Sequence, residues 1–122
     1  EIKGIASTRK QMLETILVDA GARVVMVGNG REAVERVMKD GGGAYDIVLM
    51  DVQMPVMDGY EATHQISALA PSLPIIGQTA YAMTEEKARC LEAGMVDHIA
   101  KPIDSRTLVQ LVLQHAASGQ PR

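Results

Sequence analysis

Apolar positions along the chain follow two alternating spacings. Short, nearly continuous runs fall at Ala22 to Val27, Asp46 to Met50 and Pro74 to Ile76, with a weaker one at His98 to Ala100 and a short, interrupted one at Ile2 to Ile5. Runs of this kind suit strands covered on both faces. Between them the spacing lengthens to that of a helix with one buried side. Leu13, Ile16, Leu17 and Ala20 predict a first helix, with Ser7 or Thr8 as its N-cap. Val34, Val37 and Met38 predict a second, opened by Asn29 and closed by Gly41 to Gly43. Ala62, Ile66 and Leu69 predict a third, ended by Pro71. Thr84 caps a fourth through Ala88 and Leu91, and Asp104 caps a fifth through Leu108, Leu111 and Val112. Strand and helix alternate five times, which predicts a parallel sheet with helices on both faces, because parallel neighbours need crossovers and crossovers are right-handed.

The 122 residues suit one domain, read as residues 1–117 with a disordered tail at 118–122. A chain this long buries about two-thirds of its unfolded surface and needs no metal or disulfide staple. A single cysteine, Cys90, excludes a disulfide framework and fits a reducing compartment, with the thiol buried and inert in the fourth helix. No apolar run reaches the roughly 18 residues of a membrane span and no signal-peptide pattern opens the chain, so a soluble, cytoplasmic domain is expected. The opening Glu1, in place of Met, reads as a piece of something longer. Twelve Lys and Arg stand against fifteen Asp and Glu, and the only aromatic residues are Tyr45, Tyr60 and Tyr81. Without a basic stripe or stacking platforms, direct nucleic-acid binding is excluded.

In an open parallel sheet, ligands bind at the carboxyl ends of the strands. The stretch from Gly28 to Ala33 (GNGREA) follows a strand and opens a helix, as a dinucleotide fingerprint would, and Asp51 lies where a ribose-binding acid could sit. The pattern is loose, however, and a dinucleotide fold needs a second half for which this length leaves no room. Asp51 itself carries the stronger signal. Four apolar residues deliver its carboxylate to a strand tip, and the following stretch reads as a loop. Thr79 ends the fourth strand with a hydroxyl and Lys101 the fifth with an ammonium. Carboxylate, hydroxyl and ammonium at one sheet edge suit phosphoryl chemistry, with Asp51 as nucleophile and the other two holding oxygens of the transferred group. His64 and His115 have no second ligand one turn away and read as surface or boundary residues.

Three segments, YDIVLMDVQMPVMDGYEA from Tyr45, LPIIGQTAYAM from Leu73 and GMVDHIAKPID from Gly94, resemble the receiver domains of two-component signalling, especially those of hybrid histidine kinases. The resemblance implies a flavodoxin-like (βα)5 doubly wound fold with strand order 2-1-3-4-5. It implies that Asp51 accepts a phosphoryl group from a phosphohistidine, that Thr79 and Lys101 bind its oxygens, and that Pro55, Gly59 and Pro102 are structural, with a cis Lys101–Pro102 bond. The implied partners are a histidine kinase core or a histidine phosphotransfer domain, docking near Asp51. The face from Thr84 to Leu113, helix 4 to helix 5, is the implied output or dimer surface. The domain itself would touch no membrane, though it could belong to a membrane-anchored sensor kinase, and it is no stand-alone enzyme.

Two features depart from the family pattern. Receivers hold Mg²⁺ with Asp51's counterpart and an acidic pair ending the first strand; counting back from Gly21 lands that pair on Gly4 and Ile5, neither of which ligates through its side chain. The ligands left are Asp51, the Gln53 backbone carbonyl and water, so Mg²⁺ is expected to be weak or absent. Three carboxylates, Mg²⁺ and a lysine make a neutral site, and Asp51 with Lys101 alone is also neutral. The second departure is His98, three residues before Lys101, where the family carries the Tyr or Phe that moves with Thr79 during switching. Two readings follow: a receiver that is phosphorylated slowly, or a pseudo-receiver kept as a docking or ligand-binding module.

Overall fold

The computed structural model describes residues 2–7, 11–41, 44–52, 59–79, 84–100 and 104–118. Ten elements alternate along the chain: β1 (Lys3–Ser7), α1 (Gln11–Asp19), β2 (Arg23–Met26), α2 (Gly30–Asp40), β3 (Ile47–Asp51), α3 (Gly59–Leu69), β4 (Ile75–Thr79), α4 (Thr84–Ala93), β5 (Asp97–Ala100) and α5 (Ser105–Ser118). The strands form one parallel sheet in the order β2-β1-β3-β4-β5. This is the flavodoxin-like doubly wound arrangement. None of the helices is long and apolar enough to cross a membrane among the described residues. The last helix runs to Ser118, one residue into the expected tail.

The sheet separates two apolar layers. On one side Val34 and Val37 of α2, Ala62 and Ile66 of α3 and Cys90 of α4 pack on Ile5, Val48, Met50 and Ile75. On the other, Leu17 of α1 and Leu108 and Val112 of α5 pack on Ala6, Leu49, Ile76 and Ile99. Strand residues alternate strictly between the layers, as the pleat requires.

Local signals set the helix ends. The Asn29 side chain accepts a hydrogen bond from the Glu32 N–H at 2.9 Å, and α2 closes at Gly41, whose N–H donates to the Val37 carbonyl. In α5, Asp104 accepts from the Thr107 hydroxyl and from the Leu108 N–H. Five apolar residues assigned to buried faces are exposed instead: Ala20, Met38, Leu69, Ala88 and Leu91. Ala20, Met38 and Leu69 lie at the margins of their stripes. Helix α4 buries Cys90 and Ala93, a face two residues on from the Ala88–Leu91 pair and so nearly opposite it on the helix. The sheet permits that close seating because β4 carries Gly77, where a Cβ would lie 3.2 Å from the Cys90 sulfur and closer still to that of Met95.

At the opposite, amino edge of the sheet the Tyr45 hydroxyl donates to Asp40, whose carboxylate also lies 3.5 Å from Arg36 Nε. Burial, followed by the bond to Asp40, raises the Tyr45 pKa above its ordinary value. The folded state thus holds this proton longer than the unfolded chain does. Its stabilising contribution is full below about pH 10 and is lost as pH rises from there through the raised folded value. Urea midpoints taken between neutral and strongly alkaline pH should therefore fall more steeply for the unaltered chain than for Tyr45→Phe. A second expectation concerns packing. Leu108→Ala empties a fully buried site in the α5 layer and should cost about 2–5 kcal/mol in urea unfolding, while Leu113→Ala, on the exposed side of α5, should stay within about 0.5 kcal/mol.

Candidate functional site

Strand β3 is buried from Ile47 to Met50 and surfaces at Asp51, which is half-buried at the carboxyl edge. Its backbone is held from the side. The Asp51 N–H donates to Ser7 Oγ at 3.0 Å, and the Ser7 hydroxyl lies 3.4 Å from the Leu49 carbonyl and 3.2 Å from the Met50 sulfur. Immediately beyond, the Val52 N–H donates to the Gln78 carbonyl, and the chain returns to the same point when the Gly59 N–H donates to the Val52 carbonyl. The Thr63 hydroxyl closes the turn on the Gly59 carbonyl at 2.7 Å. A Cβ on Gly59 would press on the Asp51 carbonyl and lie 2.7 Å from Val52 Cα, so only glycine lets α3 begin this close to the strand tip.

Parallel pairing sets Asp51 opposite Gln78, and Thr79, fully buried, is the next residue and the last of β4. Thr79 pairs in turn with Ala100, the last residue of β5. Carboxylate and hydroxyl therefore stand at neighbouring strand tips. Lys101, which follows Ala100 in sequence, lies outside the described residues, as do Gln53, Pro55 and Pro102.

The placement of the first strand corrects the sequence reading. Gly4 and Ile5 are not at its end. They sit in mid-strand, opposite Ile47 and Val48, and are buried with them. The ladder with β3 decides where the strand ends, and α1 is described from Gln11 to Asp19. Strand β1 thus runs on to Ser7, opposite Met50 and beside Asp51, so Ser7 is a strand residue and no N-cap. Ser7 ends β1, and Thr8, Arg9 and Lys10 follow it in sequence without a carboxylate. No cluster of three His, Cys, Asp or Glu side chains occurs among the described residues, and the Ser7 hydroxyl is already bonded to backbone. These donors do not fit a multi-carboxylate magnesium site.

His98 lies on the α4 side of β5, opposite Gly77, with its Nδ1 3.8 Å from its neighbour Asp97, too long for a hydrogen bond. Asp97 instead meets His115 Nε2 at 3.1 Å, which ties the start of β5 to α5. His64 is exposed on α3. On the same side of α3, Arg89 of α4 stacks 4.8 Å from the Tyr60 ring centroid, joining α4 to the helix that starts at the site.

A doubly wound five-stranded domain with a carboxylate at the tip of its central strand and a hydroxyl at the next tip belongs to the class of α/β domains that work at their carboxyl edge. Comparison with known proteins narrows the class. The chain matches the response regulator receiver domain over residues 6–113, and it belongs to that family. It is 47% identical over 108 residues to the sensor protein GacS of Pseudomonas syringae, covering 84% of this chain and 12% of GacS. It is 39% identical over 107 residues to the sensor histidine kinase RcsC of Salmonella typhimurium, covering 88% of this chain and 11% of RcsC. The chain therefore spans about an eighth of the relatives it matches. Among solved structures, the receiver domain of the sensor histidine kinase PA1611 from Pseudomonas aeruginosa, with magnesium coordinated in its active-site cleft, superposes with a TM-score of 0.85 at 32% identity, covering 95% of this chain and 98% of that one. The receiver of Ssk1 from Saccharomyces cerevisiae, crystallised with the histidine phosphotransfer protein Ypd1, shares the fold at 23% identity and a TM-score of 0.86, covering 96% of this chain and 90% of that one.

Sequence reasoning passed over two residues of this edge, Ser7 and Gln78. A helix-capping serine and a strand-ending serine look alike until the register of β1 is known. Ser7→Ala should leave the partly buried Asp51 N–H without its acceptor, costing about 1–2 kcal/mol, and should speed hydrogen exchange at the Asp51 amide more than at Val48.

Proposed function

We propose that this domain accepts a phosphoryl group on Asp51 from the phosphohistidine of a histidine kinase core or phosphotransfer domain, with little dependence on Mg²⁺. In the transfer the histidine N–P bond breaks and a bond from an Asp51 carboxylate oxygen to phosphorus forms, with imidazole leaving. The Thr79 hydroxyl and the Lys101 ammonium hold phosphoryl oxygens, and His98 follows Thr79 when it turns toward them. The observation that carries the reading is the placement of Asp51: a half-buried carboxylate fixed through its backbone by Ser7 and Gly59, one strand from a buried threonine hydroxyl. A reacting oxygen held this way needs little reorganisation. By analogy with GacS and RcsC, the domain acts within a longer sensor kinase on its cytoplasmic side, and the α4 to α5 face serves output or dimerisation.

Ser7 favours a second reading. With a hydroxyl where the family places acid, the divalent charge that offsets the transition state is lost, and the fold would survive as a docking module without phosphorylation. Intact mass after incubation with a small phosphodonor, with and without Mg²⁺, separates the two. One added phosphate, absent in Asp51→Asn and changed less than about tenfold in rate by Mg²⁺, supports the acceptor. No added phosphate under either condition refutes it in favour of the pseudo-receiver, and strict Mg²⁺ dependence refutes the metal half of the proposal.

A further inference from the structure

The sheet has two edge strands, β2 and β5, and they are not alike. β5 carries Asp97 and His98 along its rim, a polar guard of the kind that keeps an edge from pairing. β2 carries Arg23 at its start and then runs through Val24, Val25, Met26 and Val27 with neither a charge nor a proline. The Arg23 and Val27 N–H groups donate to β1, at the Ile2 and Ala6 carbonyls. Successive residues of a strand turn their backbone groups to opposite sides, so the N–H and C=O of Val24 and Met26 point away from the sheet. Beside this edge a groove runs between β2 and α2, lined by Val25 and Val27 and by Glu32, Glu35, Arg36 and Lys39. The four charged residues form one stripe at helical spacing, acidic toward the start of α2 and basic toward its end. Within the chain Arg36 meets Asp40, and among the described residues Glu32, Glu35 and Lys39 form no ion pair.

We infer that this edge is a self-association surface, on which β2 pairs antiparallel with β2 of a second copy of the chain about a two-fold axis through Val25. That axis sets Val24 opposite Met26 of the second copy, and Met26 opposite its Val24. In pairs of this kind two residues exchange both backbone bonds, so four hydrogen bonds close over groups that otherwise face solvent. Val25 then abuts its own counterpart, and apolar side chains meet along the whole junction. The same axis stands perpendicular to the sheet and lays the two α2 helices side by side and antiparallel. Glu32 thereby faces Lys39 and Glu35 faces Arg36, each pair made twice. A stripe divided into an acidic and a basic half is complementary to itself under a two-fold, whereas a stripe of one sign repels its copy. Because the groove touches Val25 and both halves of the stripe, one axis serves strand and helix together. The joined sheet ends on two β5 strands, both guarded, so association stops at two copies. Asp51 lies on β3, two strands in from the junction, and the surface is independent of its role.

Sedimentation of the chain as given, from micromolar to millimolar concentration, should show a reversible monomer–dimer equilibrium. Hydrogen exchange at the Val24 and Met26 amides should slow as the dimer forms, and change less at the Val27 amide, which is already bonded to Ala6. A chain carrying Arg36→Glu with Lys39→Glu, and another carrying Glu32→Lys with Glu35→Lys, should each self-associate at least about tenfold more weakly. An equimolar mixture of the two should associate again, since an all-acidic stripe then meets an all-basic one. A chain that stays monomeric at millimolar concentration overturns the inference. So does a dimer whose Val24 and Met26 amides exchange as fast as in the monomer, because it uses another face, such as α4 to α5. Charge variants that self-associate as well as the unaltered chain overturn the α2 contact and with it the two-fold arrangement.

Discussion

Strand β3 is hydrogen-bonded along both edges, to β1 and β4, and covered on both faces, so its backbone is constrained on every side. A strand in that position can carry a charged group only at its end, where water begins. That constraint explains why four buried apolar residues precede Asp51 and why the chain turns immediately after it. It also explains why the neighbouring strands dictate the chemistry. Whatever lies at the tips of β1 and β4 is placed beside Asp51 by the ladder, with no further adjustment needed.

Much of the fold was legible because its signals are local. Asn29 and Asp104 read as caps and act as caps, and the alternation of runs gave five strands whose order follows from crossover geometry and the family resemblance. What was not legible depends on distances along the chain. The end of β1 was counted back from Gly21 through α1, whereas the ladder with β3 carries the strand past Gly4 and Ile5 to Ser7. The faces of α4 and α2 were misjudged at Leu91 and Met38 because a helix stripe is fixed by what it packs on, and one residue of rotation moves a side chain from core to solvent. Asp51 and Thr79 were readable as a pair because strand tips converge in any such sheet. Gln78 was not, since a glutamine inside an apolar run declares nothing until its burial and register are known.

Among the described residues, the groups beside Asp51 at the strand tips are neutral. Serine and threonine hydroxyls flank Asp51, and the Ser7 oxygen is spent on the backbone. Hydroxyls and amides orient a carboxylate well, but they offset little of its charge. A site built this way is specific in geometry and modest in driving force.

The close seating of α4 on Gly77 has one more consequence. The molecule's only thiol, Cys90, faces the sheet where that helix meets β4, and it is closed to solvent while the contact holds. Chemical access to this sulfur is then a clock. A thiol reagent can reach it only when the helix lifts or the domain opens, so the labelling rate measures how often α4 parts from β4, on the protein's own time and without a label placed there by design.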